Sequence, residues 1–270
     1  MKLDLISSGK LKDLLKNDDC LYHYTKKSTA IEHILCSKTL KLSSFKNTND
    51  PHEYNNSFSE GIIWNPNTRI HQDIFTTINK YIKNSIFSSF CKNTYRENIL
   101  ESIGCAKSRM WSQYGDDHSG VCFVFSKKCL EHTIQSSISS DERMFMSSVE
   151  YFNLHELPYA RFKYNNEARE NTGHEHIFFN HILENYKSIF FSKHIDYQDE
   201  NEFRFVISSN YPEKKAKTDC INIESSLKAI ILGDRFPNVY LPSINSLISH
   251  TNCLCGKLTW GYGGYTLLEC

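Results

Sequence analysis

The most informative pattern of hydrophobic and polar positions along the chain covers residues 197–207. Side chains two positions apart share one face of an extended strand. If the run is extended from Glu200, one face carries Glu200, Glu202 and Arg204, and residues 203–207 place an apolar side chain at every second position on the other face. The pattern predicts a strand with one packed face and one face available for chemistry, although solvated sheet edges also carry alternating charges.

The remaining pattern predicts short strands alternating with amphipathic helices. Strands are expected where aromatic and β-branched residues cluster, at residues 21–25, 40–45, 86–91, 120–125, 148–152 and 227–233. Helices are expected after Thr29, which begins a capping-box pattern, and over residues 69–84 and 178–191. Residues 92–110 have the composition of a polar loop. Without repeats or linkers, the chain is predicted to be a single α+β domain over residues 1–270, with its core at about 20–235.

Composition and charge exclude several classes of protein. Lys plus Arg and Asp plus Glu each number 31, so the formal charge is zero and no basic run marks a nucleic-acid surface. Ten cysteines are irregularly spaced without a CxxC pair, so we expect neither a disulfide framework nor a metal site. No signal peptide is recognisable, and no run approaches the ~20 apolar residues of a membrane span. These features predict a cytoplasmic protein without membrane contact.

Four short motifs follow one another along the chain. They are Leu-Tyr-His-Tyr-Thr at 21–25, Leu-Ser-Ser-Phe with Asn-Asp-Pro-His-Glu at 42–53, Met-Trp-Ser-Gln-Tyr with His-x-Gly at 110–120, and Glu-x-Glu-Phe-Arg at 200–204. Together they resemble the typical sequence of a widespread, uncharacterised prokaryotic family.

That family in turn resembles the ADP-ribosyltransferase superfamily. The resemblance implies two small mixed or antiparallel sheets with flanking helices, which hold NAD between them as a substrate. It assigns His23 to the first strand of the site, Ser43 and Ser44 to the second, and Glu202 or Glu200 to a later strand. The combination is a hybrid of two branches of the superfamily, which leaves the role of Tyr24 open.

The candidate catalytic residues suit cleavage of the bond between nicotinamide and ribose, which builds positive charge on the sugar as in glycoside hydrolysis. Glu202 would stabilise that charge, and Glu200 would orient or deprotonate the acceptor. His23 would hydrogen-bond a ribose hydroxyl, or it is a satisfied core imidazole. Tyr22 or Tyr24 would offer an aromatic face for a base. Arg204 would bind the pyrophosphate or hold a carboxylate.

The NAD-binding residues implied by the resemblance come from all four motifs. Asp50 begins a predicted helix. The free backbone amides at the start of this helix would attract an anion, or else the acidic side chains of the helix itself cap these amides and the motif is purely structural. Trp111 and Tyr114 either line the base-binding cleft or fill the core. The complete set is Tyr22, Tyr24, Thr25, Ser43, Ser44, Phe45, Asn49, Asp50, Trp111, Tyr114 and Arg204.

The function implied by the resemblance is transfer of ADP-ribose from NAD to a macromolecule, either a protein or a nucleic acid. The same resemblance suggests a toxin or antiviral-defence effector, with a neutralising or regulatory partner. An NAD glycohydrolase would use the same groups with water as acceptor. A non-catalytic module that senses a nucleotide is the alternative from another class, because a fold does not prove an activity.

Overall fold

A computed structural model describes residues 9–50, 53, 69–153, 174–261 and 264–270. Its α-helices are α1 (Lys10–Leu15), α2 (Arg69–Asn84), α3 (Ser108–Gln113), α4 (Lys127–Ser137), α5 (His174–Phe190) and α6 (Leu241–Ile248). A π-helix covers Thr29–Leu35, and 3-10 helices cover Phe45–Asn47, Ile195–Glu200 and Asn238–Tyr240. Within the described residues, every helix is too short or too polar to cross a membrane.

Fifteen strands complete the described fold. The first eight are β1 (Cys20–Thr25), β2 (Thr39–Lys41), β3 (Ser43–Ser44), β4 (Ile86–Cys91), β5 (Thr94–Arg96), β6 (Ile99–Ser102), β7 (Val121–Ser126) and β8 (Glu142–Ser148). The others are β9 (Glu150–Phe152), β10 (Ser192–His194), β11 (Glu202–Ser209), β12 (Cys220–Asn222), β13 (Leu227–Leu232), β14 (Leu254–Gly261) and β15 (Gly264–Glu269).

Nine of these strands form one sheet in the order β15-β14-β13-β7-β1-β4-β11-β8, with β3 also paired to β4. Three two-stranded sheets are formed by β9 with β10, β2 with β12, and β5 with β6. The large sheet is joined at its centre by one pair, Tyr22 of β1 opposite Cys91 of β4. We call the strands from β15 to β1 the apolar half, and β3, β4, β11 and β8 the charged half.

The central strands of the apolar half are buried on both faces. Every residue of β7 is buried, and β13 is buried except at the half-exposed Lys228. Continuous apolar runs of this kind favour a central strand that is covered on both sides. One face packs against the π-helix, α4 and α6, and the other packs against α1 and the Trp111 indole of α3.

In the charged half, β11 is also buried but has two unlike faces. Alternate residues of β11, from Phe203 to Ile207, join the main core, and Val206 joins an aromatic cluster with α2 and α5. Glu202 and Arg204 share the face of Val206, as the two-residue period predicts. Both are nonetheless almost fully buried, with exposed fractions of 4% and 1%.

Mixed helices and strands are confirmed, but the prediction of two small sheets is replaced by one large and three small sheets. Glu200 is not in the strand, because it ends a 3-10 helix and Asn201 then adopts a left-handed backbone with φ of 44°. The strand predicted at 40–45 is divided between β2 and β3, because they pair with different partners. The loop predicted at 92–110 contains the β5–β6 hairpin.

Other predicted elements differ in detail. The segment at 148–152 does not pair beside the strand at 121–126, because β8 pairs with β11 and β9 pairs with β10. Thr29 lies inside a helix instead of capping one. The helix predicted to begin at residues 49–53 falls largely outside the described residues, which include only Glu53 after position 50 and before 69. Strands β14 and β15 extend the sheet beyond the expected core.

Candidate functional site

The candidate site is a cleft at the join between the two halves of the sheet. One edge of β4 is fully paired with β11. Its other edge pairs with β3 at Ile86 and Phe87 and with β1 at Cys91, so residues 88–90 between them have no strand partner among the described strands. Because β1 and β3 approach this edge only at its two ends, a gap opens between them.

The cleft has a volume of about 440 Å³, which lies within the ~300–1,000 Å³ usual for small-molecule sites. It receives residues from all four sequence motifs. Of the predicted site residues, those that line it are Tyr22, His23, Tyr24, Ser43, Asn49, Tyr114, Glu200, Glu202 and Arg204. The other lining residues are Lys41, Asn47, Thr48, Glu53, Phe87, Ser88, Ser89, Phe90, Cys91, Met110, Gln113 and Lys193.

Glu202, the first residue of β11, is a buried carboxylate with donors on both oxygens. Ser89 Oγ and Arg204 Nε donate to Oε1. Arg204 Nη2 donates to Oε2 at 2.9 Å, and Lys193 Nζ lies 3.4 Å from the same atom. Burial alone would raise the pKa of Glu202, but the charges of Arg204 and Lys193 and these hydrogen bonds lower it to about 2. Glu202 is therefore ionised at neutral pH.

Arg204 holds the carboxylates of the site in place. Its Nε and Nη2 bind Glu202 bidentately, and Nη1 donates to Glu53 and to the carbonyl oxygen of Phe190 at 3.0 Å. Burial would lower the pKa of Arg204, but the two carboxylates raise it. Four of the five N–H groups of a guanidinium are thus committed within the protein. Arg204 was predicted either to bind the pyrophosphate or to hold a carboxylate, and these contacts correspond to the second role.

Glu200 reaches the cleft from the 3-10 helix, one residue before the left-handed turn at Asn201. Lys193 Nζ donates to its Oε2 at 2.6 Å and Tyr114 Oη donates to Oε1 at 2.8 Å. Asn49 Nδ2 donates in turn to Tyr114 Oη at 3.1 Å. Burial and then the charge of Glu200 raise the pKa of Tyr114, so the phenol keeps its proton and acts as a donor.

Lys193 joins the two candidate catalytic carboxylates, since its ammonium contacts both Glu200 and Glu202. It is 5% exposed. Burial would lower the pKa of Lys193, but the surrounding carboxylates raise it, which keeps the ammonium charged. With its carboxylates ionised, the cluster of Glu53, Glu200 and Glu202 against Lys193 and Arg204 therefore carries one net negative charge.

Glu53 is the carboxylate of this cluster with the weakest compensation. Arg204 Nη1 contacts its Oε1, whereas Oε2 is buried without a hydrogen-bond partner among the described residues. Burial raises the pKa of Glu53 despite the opposing charge of Arg204. Glu53 therefore takes up a proton before Glu202 does as the pH falls.

His23 lies in the gap between β1 and β4. Its Nδ1 lies 3.0 Å from the carbonyl oxygen of Ser89. Because a carbonyl oxygen only accepts, Nδ1 carries the proton, and Nε2 of the neutral ring is left as an acceptor. Burial lowers the pKa of His23, and the hydrogen bond to Ser89 only partly offsets this. Register places Tyr22 on the face of Glu202, so the His23 side chain leaves β1 on the opposite face and meets the cleft between the strands.

The two tyrosines beside His23 have their rings in the core. Tyr22 is fully buried, donates to the carbonyl of Leu15 at 2.6 Å, and covers Gly104, where a Cβ would lie 2.2 Å from its ring. Tyr24 donates to the carbonyl of Gly104 at 2.7 Å and meets Trp111 edge to face. The buried rings do not support the predicted stacking on a base, because neither ring presents an open face.

Five predicted binding residues do not line the cleft. Trp111 is fully buried and donates to the carbonyl of Cys105, so of its two predicted roles it fills the core. Phe45 packs on Phe87 in the aromatic cluster. The remaining three are Thr25, at the end of β1, Ser44, which accepts from the backbone of Lys46, and Asp50, which accepts from the backbone of His194.

Sequence reasoning missed Lys193 and Ser89, which bind the central carboxylates, and the mouth residue Lys41. It quoted Glu53 within a motif without assigning it to the site. Lys193 follows the aromatic helix α5, and no spacing connects it to either glutamate. The one available signal for Ser89 was its position in a strand that is otherwise apolar, Ile-Phe-Ser-Ser-Phe-Cys. Among the described residues, no group of three or more His, Cys, Asp or Glu side chains is arranged to hold a metal ion.

The fold and site define a mixed α/β protein with a charged cleft at a break in its central sheet. Residues 110–205 match the model of a protein family described as a protein of unknown function, DUF2971. The match runs from the Met-Trp-Ser-Gln-Tyr motif to the Glu-x-Glu-Phe-Arg motif and thus covers Tyr114, Lys193, Glu200, Glu202 and Arg204. No curated protein and no solved structure matches the chain.

Proposed function

We propose that the protein cleaves NAD at the nicotinamide-ribose bond and transfers ADP-ribose to a macromolecular acceptor. The observation that carries the proposal is an ionised carboxylate, Glu202, that lines the same cleft as His23 and Ser43. The proposed fold relationship is to the ADP-ribosyltransferases, in which two sheets hold the dinucleotide. The single-pair join between β1 and β4 supports this relationship.

The electrostatics of the cleft suit a transition state that develops positive charge. The cluster around Glu202 carries one net negative charge when its carboxylates are ionised, and it is held in position by Arg204 and Lys193 before a ligand arrives. Fixed charges in a site of low dielectric stabilise developing charge more than mobile water does. In this arrangement Glu202 acts through its field on the ribose cation.

The other cleft residues provide complementary contacts for NAD. Nε2 of neutral His23 is an acceptor for a ribose hydroxyl, and Ser43, exposed at the cleft, offers a donor and an acceptor. Lys41 is exposed at the same mouth, and among the described residues its ammonium has no ion-pair partner. It therefore replaces Arg204 as the candidate contact for the pyrophosphate.

Glu200 is the proposed contact for the acceptor. Its carboxylate is held by Lys193 and Tyr114 on one side of the cluster, apart from the Arg204 clamp on Glu202. It would orient or deprotonate the nucleophile of a protein or nucleic acid. A toxin or antiviral-defence setting, with a neutralising or regulatory partner, is proposed on the motif resemblance alone. With water as acceptor, the same groups would make an NAD glycohydrolase.

A second candidate is a non-catalytic module that binds a nucleotide. One observation favours it: both oxygens of Glu202 already accept from Ser89, Arg204 or Lys193, so the carboxylate is satisfied without a ligand. Buried polar networks of this kind also serve to specify a fold. In this reading, the cleft would bind NAD without releasing nicotinamide.

Release of free nicotinamide from NAD, with and without cell lysate as a source of acceptor, separates these functions. We expect release by the parent and a loss of roughly 10²–10³-fold in the Glu202→Gln variant, since a preorganised electrostatic group is removed. Ile207→Val, on the opposite face of β11, is the matched control and should keep the activity. Release that persists unchanged in Glu202→Gln would reject the assigned role. NAD binding without release, even with lysate, would establish the non-catalytic module.

A further inference from the structure

A pair of thiols lies together at the edge of the apolar half, outside the cleft. Cys255 of β14 and Cys270 continue the register in which Gly256 faces Glu269. The backbone N–H of Cys270 donates to the carbonyl of Cys255 at 3.2 Å, and the two Sγ atoms are 2.8 Å apart. That separation exceeds the ~2.05 Å of a disulfide bond. Both residues are therefore free thiols in close contact.

We propose that Cys255 and Cys270 form a reversible oxidation site, which a peroxide converts from a dithiol to an intrachain disulfide. The proposal concerns a different part of the sheet from the cleft and does not depend on the proposed function. It distinguishes this pair from the neighbouring Cys253, whose Sγ points to the carbonyl of Leu254 at 3.6 Å.

The backbone geometry allows the bond to form without rearrangement. Directly opposed residues on antiparallel strands have Cα atoms ~4.5–5.5 Å apart. Disulfides span Cα separations of ~4.4–6.8 Å. Because the strands already hold Cys255 and Cys270 opposite one another, only the two sulfur atoms must approach.

The two thiols differ in a way that assigns their roles. Cys270 is exposed, whereas Cys255 is 9% exposed. The hydrogen bond from Cys255 lowers the pKa of Cys270, and the ammonium of Lys257 lowers it further against the effect of burial. The hydrogen bond and burial raise the pKa of Cys255. An accessible thiol with the lower pKa is the one that a peroxide oxidises first.

The reaction proceeds in two balanced steps. The thiolate of Cys270 attacks one oxygen of hydrogen peroxide, the O–O bond breaks, and the departing hydroxide takes the proton that Cys270 lost, giving a sulfenic acid and water. Cys255 then attacks that sulfur, the S–O bond breaks, and the hydroxide leaves with the Cys255 proton as a second water. Both sulfur atoms are oxidised by one electron each, and peroxide is reduced to two waters.

A disulfide bond between Cys255 and Cys270 would stabilise the pairing of the edge strand β15 with β14. β15 pairs only with β14 among the described strands. Its Tyr265 and Leu267 are buried in the core beneath α3. A covalent link at residue 270 would oppose fraying of this edge, because a disulfide limits the freedom of the unfolded chain.

The test treats the purified, reduced full chain with equimolar hydrogen peroxide, alkylates the remaining thiols, and maps peptides by mass spectrometry without reduction. We expect a Cys255–Cys270 linked peptide, the loss of two alkylation sites, and a rise of roughly 5 °C in melting temperature. Dithiothreitol should reverse all three changes. The Cys36→Ser variant removes another exposed thiol and should keep the bridge, whereas Cys270→Ser should abolish it.

Several results would overturn the proposal. A bridge through Cys253, sulfinic acid at Cys270 without a bridge, or two intact thiols after treatment would each contradict it. The mapping on the parent chain decides between these results even if the Cys270→Ser variant fails to fold.

Discussion

The central strands of the two halves of the sheet are buried alike but differ in what they bury. In the apolar half, β7 and β13 place aliphatic and aromatic side chains on both faces. In the charged half, β11 packs one face and buries Glu202 and Arg204 on the other. An apolar core tolerates the replacement of one apolar side chain by another of similar volume. Buried charges require particular partners, so the stability of the charged half should depend on this network more than the apolar half depends on any one side chain.

This difference connects the fold to the site. The network joins elements far apart in the sequence: Ser89 from β4, Lys193 from β10, Glu202 from β11 and Glu53 from beyond β3. Removing Arg204 or Lys193 would leave buried carboxylates without their cation, and removing Ser89 would leave Glu202 without a hydrogen-bond donor. The apolar half offers a stable support at β1, and the cleft forms where this support meets the charged half.

Arg204→Met should destabilise the charged half more than any other substitution considered. It leaves the buried carboxylates of Glu202 and Glu53 without their guanidinium, which should lower the free energy of unfolding by about 3–5 kcal/mol. Ile207→Val, on the other face of the same strand, should cost only ~0.5–1.5 kcal/mol. Urea unfolding of both variants measures the two costs. Equal costs would show that the charged face is no more demanding than the apolar face.

Glu202→Gln tests the network through its dependence on pH. Glu202 has an ordinary pKa of 4.5 that is lowered to about 2 in the folded protein, so its stabilisation is complete above about pH 5 and is lost as the pH falls toward 2. The loss amounts to roughly 3 kcal/mol. Urea unfolding between pH 7 and pH 2.5 should therefore show a flatter profile for Glu202→Gln than for the parent.

Glu53→Gln provides the control of opposite sign. The pKa of Glu53 is raised, so its contribution is present at low pH and is lost as the pH rises through the folded value. In Glu53→Gln, the free energy of unfolding should therefore fall more steeply with decreasing pH than it does in the parent. Parallel profiles for the parent and both variants would contradict the charge assignments.

His23→Leu examines the join between the halves. It removes the hydrogen bond to the Ser89 carbonyl, and we expect a loss of about 1 kcal/mol with faster amide exchange in β1 and β4. His23→Gln, which keeps an N–H donor, should lose less. Because the pKa of His23 is lowered, its stabilisation is complete above its unfolded value near 6.5 and falls at lower pH. The free energy of unfolding is measured for the parent and both variants at pH 7.5 and 5.5. The same difference between parent and His23→Leu at both pH values would contradict this titration.

Lys41→Met should change the stability of the protein least, because Lys41 lies at the surface of the cleft. Its exposed ammonium has no ion-pair partner among the described residues, so the free energy of unfolding should change by less than ~0.5 kcal/mol. The affinity for NAD should fall roughly fivefold, since an exposed ion pair contributes ~1 kcal/mol at most. Calorimetric titration with NAD measures the change. The same titration of Lys228→Met, in the apolar half, should match the parent.

The alternation of residues predicted the packed face of β11 but not the path of Glu200. Phe203 and Glu202 lie on opposite faces, as the period of two requires. Glu200 was expected on the same strand, yet the left-handed Asn201 interrupts it. Glu200 and Glu202 still meet because Lys193 lies between them. This contact depends on tertiary structure and leaves no periodic signal.

The motif at residues 21–25 predicted a strand beside the site but not which side chains face the ligand. Tyr22 and Tyr24 are bound through their hydroxyl groups to core carbonyls. His23 instead fills a gap in the strand pairing. Sequence alone cannot separate these roles, because an aromatic strand buried on both faces has the same composition as one that lines a cleft.

Amide hydrogen exchange with and without NAD is the most direct test of the central claim, that the break between β1 and β4 is a nucleotide site. We predict that NAD slows exchange in β1, β3, β4 and the first residues of β11, and leaves β13 and β14 unchanged. The protection should weaken in Lys41→Met. Protection confined to other strands, or none at saturating NAD, would contradict the account.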